Sequence, residues 1–418
     1  MGPSSHEAPV RFEALARLLM PAQRPSDGLP LETDKSWTFN RSTSAGAGAV
    51  VWGRPPLASG TPVPELARVA LARERALSAL RSHPPEPLHV VDWHRWHPSP
   101  LRPGTVRNRL RQALLGGLLV ELSASGAERI PRVLDEVASA AGANGRVATF
   151  RPGSGGSALV HLVGAKGQRC LLRAGLTGIP GDPGHSSDAL RLLERAEVPS
   201  VPRLAGSGEV AGASWTTESL LIGERPRRIT RRLIEDLAGF CARLPASGGP
   251  VSAPQSDAAQ VASALPEYAP SVTDVSVGIA EALEGFPGLM RHGDFWSGNV
   301  ITARGELTGV IDWDAWHPAA APGTDLLHFL VAEQSIRTHQ GLGEVWCCRP
   351  WSSEEFTTAA APYWRALGLS PTAKQLEATG ITWWMGQVAN NLGRLPHLAN
   401  DGRWLARNVT PVLEALSG

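Results

Sequence analysis

Lysine is nearly missing from this chain of 418 residues: Lys35, Lys166 and Lys374 are the only three among 40 basic residues, and arginine supplies the others. No charge sign dominates either. Forty basic residues face 39 acidic ones, for a formal net charge of +1, which argues against a broad basic surface that grips nucleic-acid phosphates. Cysteine is scarce, and the spacing of Cys170, Cys241, Cys347 and Cys348 does not match a zinc site. Free thiols in a reducing cytosol are expected. No apolar run approaches the ~18–20 residues that span a bilayer. Met1 to Val10 has no basic patch followed by an apolar stretch, as a signal peptide would. A cytoplasmic protein without membrane contact is therefore expected. No repeat recurs at solenoid periods. The lysine poverty reads first as the coding bias of a GC-rich genome, physically informative only where a lysine's chemistry is required.

What is present is enough to fold. At 42% hydrophobic residues the chain can bury a core, and its length exceeds one domain of ~100–200 residues, so two or three are expected. Residues 21–65, rich in Pro, Gly, Ser and Thr, read as loops between short strands. Apolar spacing predicts helices over Pro64 to Ser82, Thr105 to Leu115 and Ile130 to Ala141, and strands over Leu88 to Trp93 and Gly117 to Ser123. This mixture suggests an α/β unit over about 1–142. It holds no catalytic constellation, and the DWHRWH string with Asp92, His94 and His97 reads as a polar loop after a strand rather than a metal site.

The pattern changes after Gly145. Short strands are predicted at 147–150, 157–163 and 168–175, with a turn at Gly164 to Gly167. Gly153, Ser154, Gly155, Gly156 and Ser157 form a loop between the first two that would let backbone N–H groups approach phosphate oxygens. A helix over His185 to Ala196, N-capped by Ser187, and strands over Arg203 to Val210 and Ala213 to Leu221 complete this part.

The most informative segment is HGDFWSGNVITARGELTGVIDWD, residues 292–314. His292, Gly293, Asp294 and Asn299 form an H-G-D-x-x-x-x-N string. Asn299 to Thr302, a turn over Ala303 to Glu306 and Leu307 to Asp312 read as a hairpin that brings Asp312 back to Asn299. Phosphoryl transfer needs such a set. One carboxylate orients the acceptor hydroxyl and takes its proton, while an amide and a second carboxylate hold Mg²⁺, which prefers hard oxygen ligands. Asp294 is the expected base and Asn299 and Asp312 the metal ligands. His292 belongs to the same catalytic set, fixing the loop.

HGDFWSGNV with GVIDWDAW and GTDLLHFL (323–330) resembles the aminoglycoside phosphotransferase and choline kinase family over about residues 145–418. The resemblance implies an α+β, protein-kinase-like fold. Its small lobe of five antiparallel strands would span 143–222 and its mainly helical lobe 223–418, with 1–142 as an extra N-terminal α/β region. It implies transfer of the γ-phosphoryl group of ATP or GTP, with Mg²⁺, to a hydroxyl of a small molecule, in antibiotic inactivation, self-protection or biosynthesis. Backbone groups of Glu218, Ser219 and Leu220 would meet the purine, and Asp325 would brace the active-site region. The family's strand-three lysine falls here at Arg173, whose guanidinium can fork onto phosphates. Its helix carboxylate would be Asp188 or Glu194.

For the acceptor, Trp296, Asp314 and Trp316 beside the catalytic loop are the candidates. Residues 331–418 hold seven acids, seven bases and six tryptophans. That balance favours a neutral hydroxylated acceptor, such as a sugar, a nucleoside or a glycosylated natural product, over a polycation. Two alternatives stand beside a kinase. One is a catalytically weak nucleotide-binding pseudokinase. The other is a bifunctional protein with a separate N-terminal activity, although a cap or a homodimerisation element fits residues 1–142 better.

Overall fold

A computed structural model describes residues 26–34, 37–44, 48–54, 88–96, 117–124, 133–141, 146–152, 157–163, 169–177, 182–210 and 212–417. Their contacts divide the chain into two compact units: residues 1–184 with 204–220, and 185–203 with 221–418.

The first unit contains two antiparallel sheets of five strands each. Strands β1 (Ser26–Asp34), β2 (Trp37–Ser44), β3 (Gly48–Arg54), β4 (Leu88–Trp96) and β5 (Gly117–Ala124) lie in the order β1-β2-β3-β5-β4. Strands β1 to β3 are longer than the Gly- and Pro-rich composition suggests. Trp37, Thr38, Phe39 and Thr43 supply the β-branched and aromatic content that a pleated ribbon favours. The expected helices over 64–82 and 105–115 and the loop Gly153, Ser154, Gly155 and Gly156 lie outside the described residues. Helix α1 (Val133–Ala140) lies within the third expected helix.

The second sheet is β6 (Arg146–Pro152), β7 (Ala158–Val163), β8 (Arg169–Leu176), β9 (Leu204–Val210) and β10 (Ala213–Ser219), in the order β6-β7-β8-β10-β9. All five fall where strands were expected. The central position of β10 explains its burial despite the polar sequence ASWTTES. Six of its seven residues are buried, including Thr216 and Glu218.

Helix α2 (Pro183–Arg195) begins earlier than expected. Ser187 lies inside it and accepts from Arg191 Nη1 at 3.2 Å, so it is not the N-cap. Asp182 takes that role by accepting from Gly184 N at 2.7 Å, and Pro183 suits the first turn because it has no N–H to leave unpaired.

The second unit is mainly helical, with α3 (Arg231–Cys241), α4 (Ala253–Ala264), α5 (Ala269–Ala282), α6 (Thr324–Thr338), α7 (Leu342–Trp346), α8 (Glu354–Ala366), α9 (Ala373–Arg394), α10 (Gly402–Asn408) and α11 (Thr410–Ser417). Its strands are short. β11 (Ala246–Pro250), β12 (Pro287–Arg291) and β15 (His317–Ala320) form one sheet in the order β11-β12-β15, while β13 (Val300–Ala303) pairs with β14 (Glu306–Val310). Helix α9 starts in a capping box in which Thr372 Oγ1 accepts from Gln375 N and the Gln375 side chain accepts from Thr372 N. It is buried along most of its length, with Trp383, Trp384 and Met385 at 2% exposure or less.

Five of the six C-terminal tryptophans are core residues. Trp346, Trp351, Trp364, Trp383 and Trp384 are buried, and only Trp404 is partly exposed. Among the described residues no helix is long and apolar enough to cross a membrane.

Candidate active site

The site is built on strand β12, the loop after it and the β13–β14 ribbon. The ribbon turns through Arg304 (φ 54°) and Gly305 (φ 83°), two residues in the left-handed region, as a tight hairpin turn requires. Its register pairs Val300 with Val310. Ile311 N donates to Asn299 O at 2.9 Å, which carries the pairing one step past the strands and brings Asp312 back beside Asn299. Asp312 itself has φ 71° and ψ 63°, a conformation uncommon for a residue with a Cβ.

The loop 292–299 is held from several sides. Asp325, near the N-terminus of α6, accepts from His292 N at 2.6 Å and from Gly293 N at 3.0 Å, so it braces the loop backbone. His292 is fully buried, and its Nε2 meets Ile311 O at 2.9 Å, tying the loop to the ribbon. Gln387 Nε2 donates to Gly293 O at 2.8 Å. Gly293 has φ 81°, and a Cβ there would collide with the Ala315 carbonyl oxygen, so only glycine fits both the turn and the close approach. Below the loop, Arg291 and Asp257 form a buried bidentate pair, Nη1–Oδ2 at 2.8 Å and Nη2–Oδ1 at 2.9 Å. Burial opposes the charge on Arg291, yet the Asp257 carboxylate holds its pKa above the ordinary arginine value.

Asp294 is half-buried and surrounded by donors. Asn299 Nδ2 donates to Asp294 O at 2.8 Å and to its Oδ2 at 3.3 Å. Arg394, in the last turn of α9, donates from Nη1 to the same Oδ2 at 3.3 Å. Burial alone would lower the pKa of Arg394, but the carboxylates of Asp294, Asp312 and Asp314 together raise it. His328 places Nε2 3.9 Å from Asp294 Oδ1. Its Nδ1 accepts from Trp383 Nε1 at 3.1 Å, which assigns the proton to Nε2, facing Asp294. Burial lowers the His328 pKa despite the pull of Asp294 and Asp325, so the ring stays neutral near pH 7.

The donor set fits Mg²⁺. Because Asn299 turns its Nδ2 towards Asp294, Oδ1 is left as the acceptor end, and Asp312 adds a carboxylate. Mg²⁺ typically takes one or two such protein oxygens and completes its shell with phosphates and water. Among the described residues no three His, Cys, Asp or Glu side chains form a metal cage of their own.

The remaining expected residues divide between the two units. In the second, Trp296 is partly exposed and its ring covers Gly298, Asp314 is partly exposed, and Trp316 stacks on His185 with centroids 5.2 Å apart while its Nε1 donates to His185 O at 2.9 Å. Asp188 pairs with Arg191 at 3.0 Å on an exposed helix face, and Glu194 is exposed as well. In the first unit, Ser157 is buried, while Ser219 and Leu220 follow Glu218 at the end of β10 and are partly exposed. Arg173 lies on β8 opposite Thr216, and its Nε stands 3.0 Å from Glu218 Oε1 with both side chains over nine-tenths buried. Arg173 therefore has a carboxylate partner on a neighbouring strand, where a helix carboxylate was expected.

Sequence reading missed Asp257, His328, Gln387 and Arg394 as parts of the site. Gln387 and Arg394 are seven residues apart, so two turns of α9 put them on one face, but no local pattern marked that face as facing Asp294.

Residues 187–378 match the family model described as the phosphotransferase enzyme family. No protein of curated function matches the chain. Among solved structures, the chain is similar to a macrolide 2'-phosphotransferase from Brachybacterium faecium (16% identity, 66% of this chain and 97% of that one, TM-score 0.46). It is also similar to a thermostable mutant aminoglycoside phosphotransferase in ternary complex with ADP and hygromycin B (16%, 68% and 98%, TM-score 0.44). A third is a putative fructosamine-3-kinase from Haemophilus somnus (15%, 67% and 94%, TM-score 0.43).

Proposed function

From the match of residues 187–378 to the phosphotransferase enzyme family model, we propose that this protein is a small-molecule kinase. It transfers the γ-phosphoryl group of ATP or GTP to a hydroxyl, in a protein-kinase-like arrangement whose lobes are 143–222 and 223–418. The observation that carries this reading is the convergence of Asp294, Asn299 and Asp312 at the open end of one hairpin. Asp294 orients the acceptor hydroxyl and accepts its proton as the O–P bond forms. Little proton transfer is needed early in a loose, metaphosphate-like transition state, which suits a carboxylate already surrounded by donors. Asn299 Oδ1 and Asp312 would hold Mg²⁺, which when bound offsets phosphate charge. Asp325, His292 and Gln387 keep the loop in place, and Arg394 positions the Asp294 carboxylate. The loop Gly153 to Ser157 and Arg173 serve the phosphates, and backbone groups of Glu218 to Leu220 serve the base.

The acceptor is a neutral hydroxylated molecule with a flat or ring-shaped face. The partly exposed Trp296 and Trp316 support stacking, and the guanidinium of Arg394 next to Asp294 disfavours an ammonium group there.

Mg²⁺ with ATP or GTP is expected to raise the melting temperature of the purified chain, and a panel of hydroxylated acceptors should then show nucleotide consumption. Absence of stabilisation by either nucleotide would sink the proposal.

A second reading, a nucleotide-binding protein with weak catalysis, draws support from the Arg173–Glu218 pair, which occupies the cation on its own sheet. Nucleotide binding without turnover on any acceptor would favour it. Arg173→Met is expected to weaken Mg-ATP binding by roughly 10-fold or more, as for loss of a hydrogen bond to a charged group. Arg173→Lys should stay within about 3-fold. Calorimetric affinities that are equal for wild type and Arg173→Met would remove Arg173 from the phosphate contacts.

A further inference from the structure

Five of the eight residues 225–232 are arginines: Arg225, Arg227, Arg228, Arg231 and Arg232. A coding bias replaces lysine along the whole chain; it does not gather basic residues in one place. This segment and the turn of the β13–β14 ribbon wall a cavity of about 530 Å³ in the second unit. Arg225, Arg227, Arg228 and Arg304 line it, and Glu224 is its one acidic lining residue. Glu224 meets Arg227 at 3.5 Å with both side chains largely exposed, a geometry that neutralises little. The cavity contains none of Asp294, Asn299 or Asp312.

Its walls are fixed by backbone contacts. Glu224 N donates to Thr302 O at 2.9 Å and Thr302 N donates to Glu224 O at 2.7 Å, an isolated antiparallel bridge between the two segments. Gly223, with φ 139°, makes this approach possible, since a Cβ there would stand 2.5 Å from Thr302 O. Thr308 Oγ1 adds a bond to Ile222 O at 2.8 Å.

We propose that this cavity binds a small molecule carrying two or more phosphate charges. Guanidinium forks match phosphate oxygens in geometry as well as sign. The volume lies in the range of about 300–1,000 Å³ typical of small-molecule pockets. Arg231 and Arg232 lie outside the lining and pair with Glu235 and Glu306, so the four lining arginines form a local concave patch, whereas a nucleic acid calls for an extended basic face. The turn at Arg304 and Gly305 is the far end of the ribbon that carries Asn299 and Asp312, so an occupant there touches the ribbon without entering the candidate active site. The binding itself does not depend on the kinase reading.

The test is calorimetric titration of the full chain with inorganic pyrophosphate, at low salt and with EDTA present. Wild type should bind with one-to-one stoichiometry. Arg228→Glu combined with Arg304→Glu, both at exposed positions, should lower the affinity at least tenfold with an unchanged melting temperature. Asp312→Asn should leave it unchanged. Three results would overturn the proposal: no binding by wild type at millimolar pyrophosphate, equal affinity in the double variant, or loss of binding in Asp312→Asn, which would put the anion at the candidate metal position. Tighter binding of a single-stranded oligonucleotide than of pyrophosphate, with the same arginine dependence, would assign the surface to nucleic acid instead.

Discussion

Asp294→Asn is expected to lower turnover by roughly 10²–10⁴-fold, the usual contribution of a positioned general base, while stabilisation by Mg-nucleotide persists. The asparagine keeps the shape of the side chain and can still receive the Asn299 and Arg394 donors on its remaining oxygen. What it loses is the capacity to take the acceptor's proton. A parallel fall in nucleotide affinity would instead mean that Asp294 serves the metal site. Arg394→Ala separates positioning from chemistry. It removes one of the donors that converge on Asp294 and should cost about 10-fold in turnover, the equivalent of one ordinary hydrogen bond, with partial recovery in Arg394→Lys. If Asp294→Asn retains turnover within a few-fold of wild type, the assignment of the base fails.

Arg291→Met is expected to destabilise the second unit by about 3–5 kcal/mol, because it leaves the Asp257 carboxylate buried without its partner. That is a large part of the ~5–15 kcal/mol that holds a typical domain together. Both residues are at least nine-tenths buried, the pair is bidentate, and a Cβ at Gly386 of α9 would stand 2.6 Å from Arg291 Nη1. Replacing both partners, as Arg291→Met with Asp257→Leu, should recover most of the loss, since neither charge then needs compensation. Denaturant unfolding followed by tryptophan fluorescence reads both. A double variant no more stable than Arg291→Met alone would show that the pair works through shape rather than charge. Because β12 leads directly into the 292–299 loop, lost stability here should also loosen the candidate site.

The β-hairpin after Asn299 was legible in the sequence because its determinants are local. Arg304-Gly305 sets the turn, the turn sets the register, and the register returns Asp312 to Asn299. The five strands of the β6–β10 sheet were legible for the same reason. The start of α2 was misplaced. Pro183 and Asp182 together signal a helix start, but Ser187 offered a competing cap, and only the backbone shows that Gly184 N is the group satisfied. Arg173 was read from the sequence as a cation on the third strand of this sheet, and the structure places it on β8. Its partner Glu218 was not legible, because the two are 45 residues apart and meet only through the pairing of β8 with β10.

The lysine poverty of the chain sharpens this division. By itself the sequence determined the chemistry on offer: a carboxylate, an amide and a second carboxylate on one short ribbon, an arginine where a lysine is usual, and a segment crowded with arginines. These are properties of neighbours along the chain, governed by turn geometry and period. The tertiary structure alone decided what surrounds them. His328, Gln387 and Arg394 reach the 292–299 loop from α6 and α9, and Asp257 reaches Arg291 from α4, across separations of 34 to 100 residues. Helix packing brings such groups together by burying apolar faces, and that burial constrains which face turns inward without leaving any periodic mark of which polar side chain will meet which.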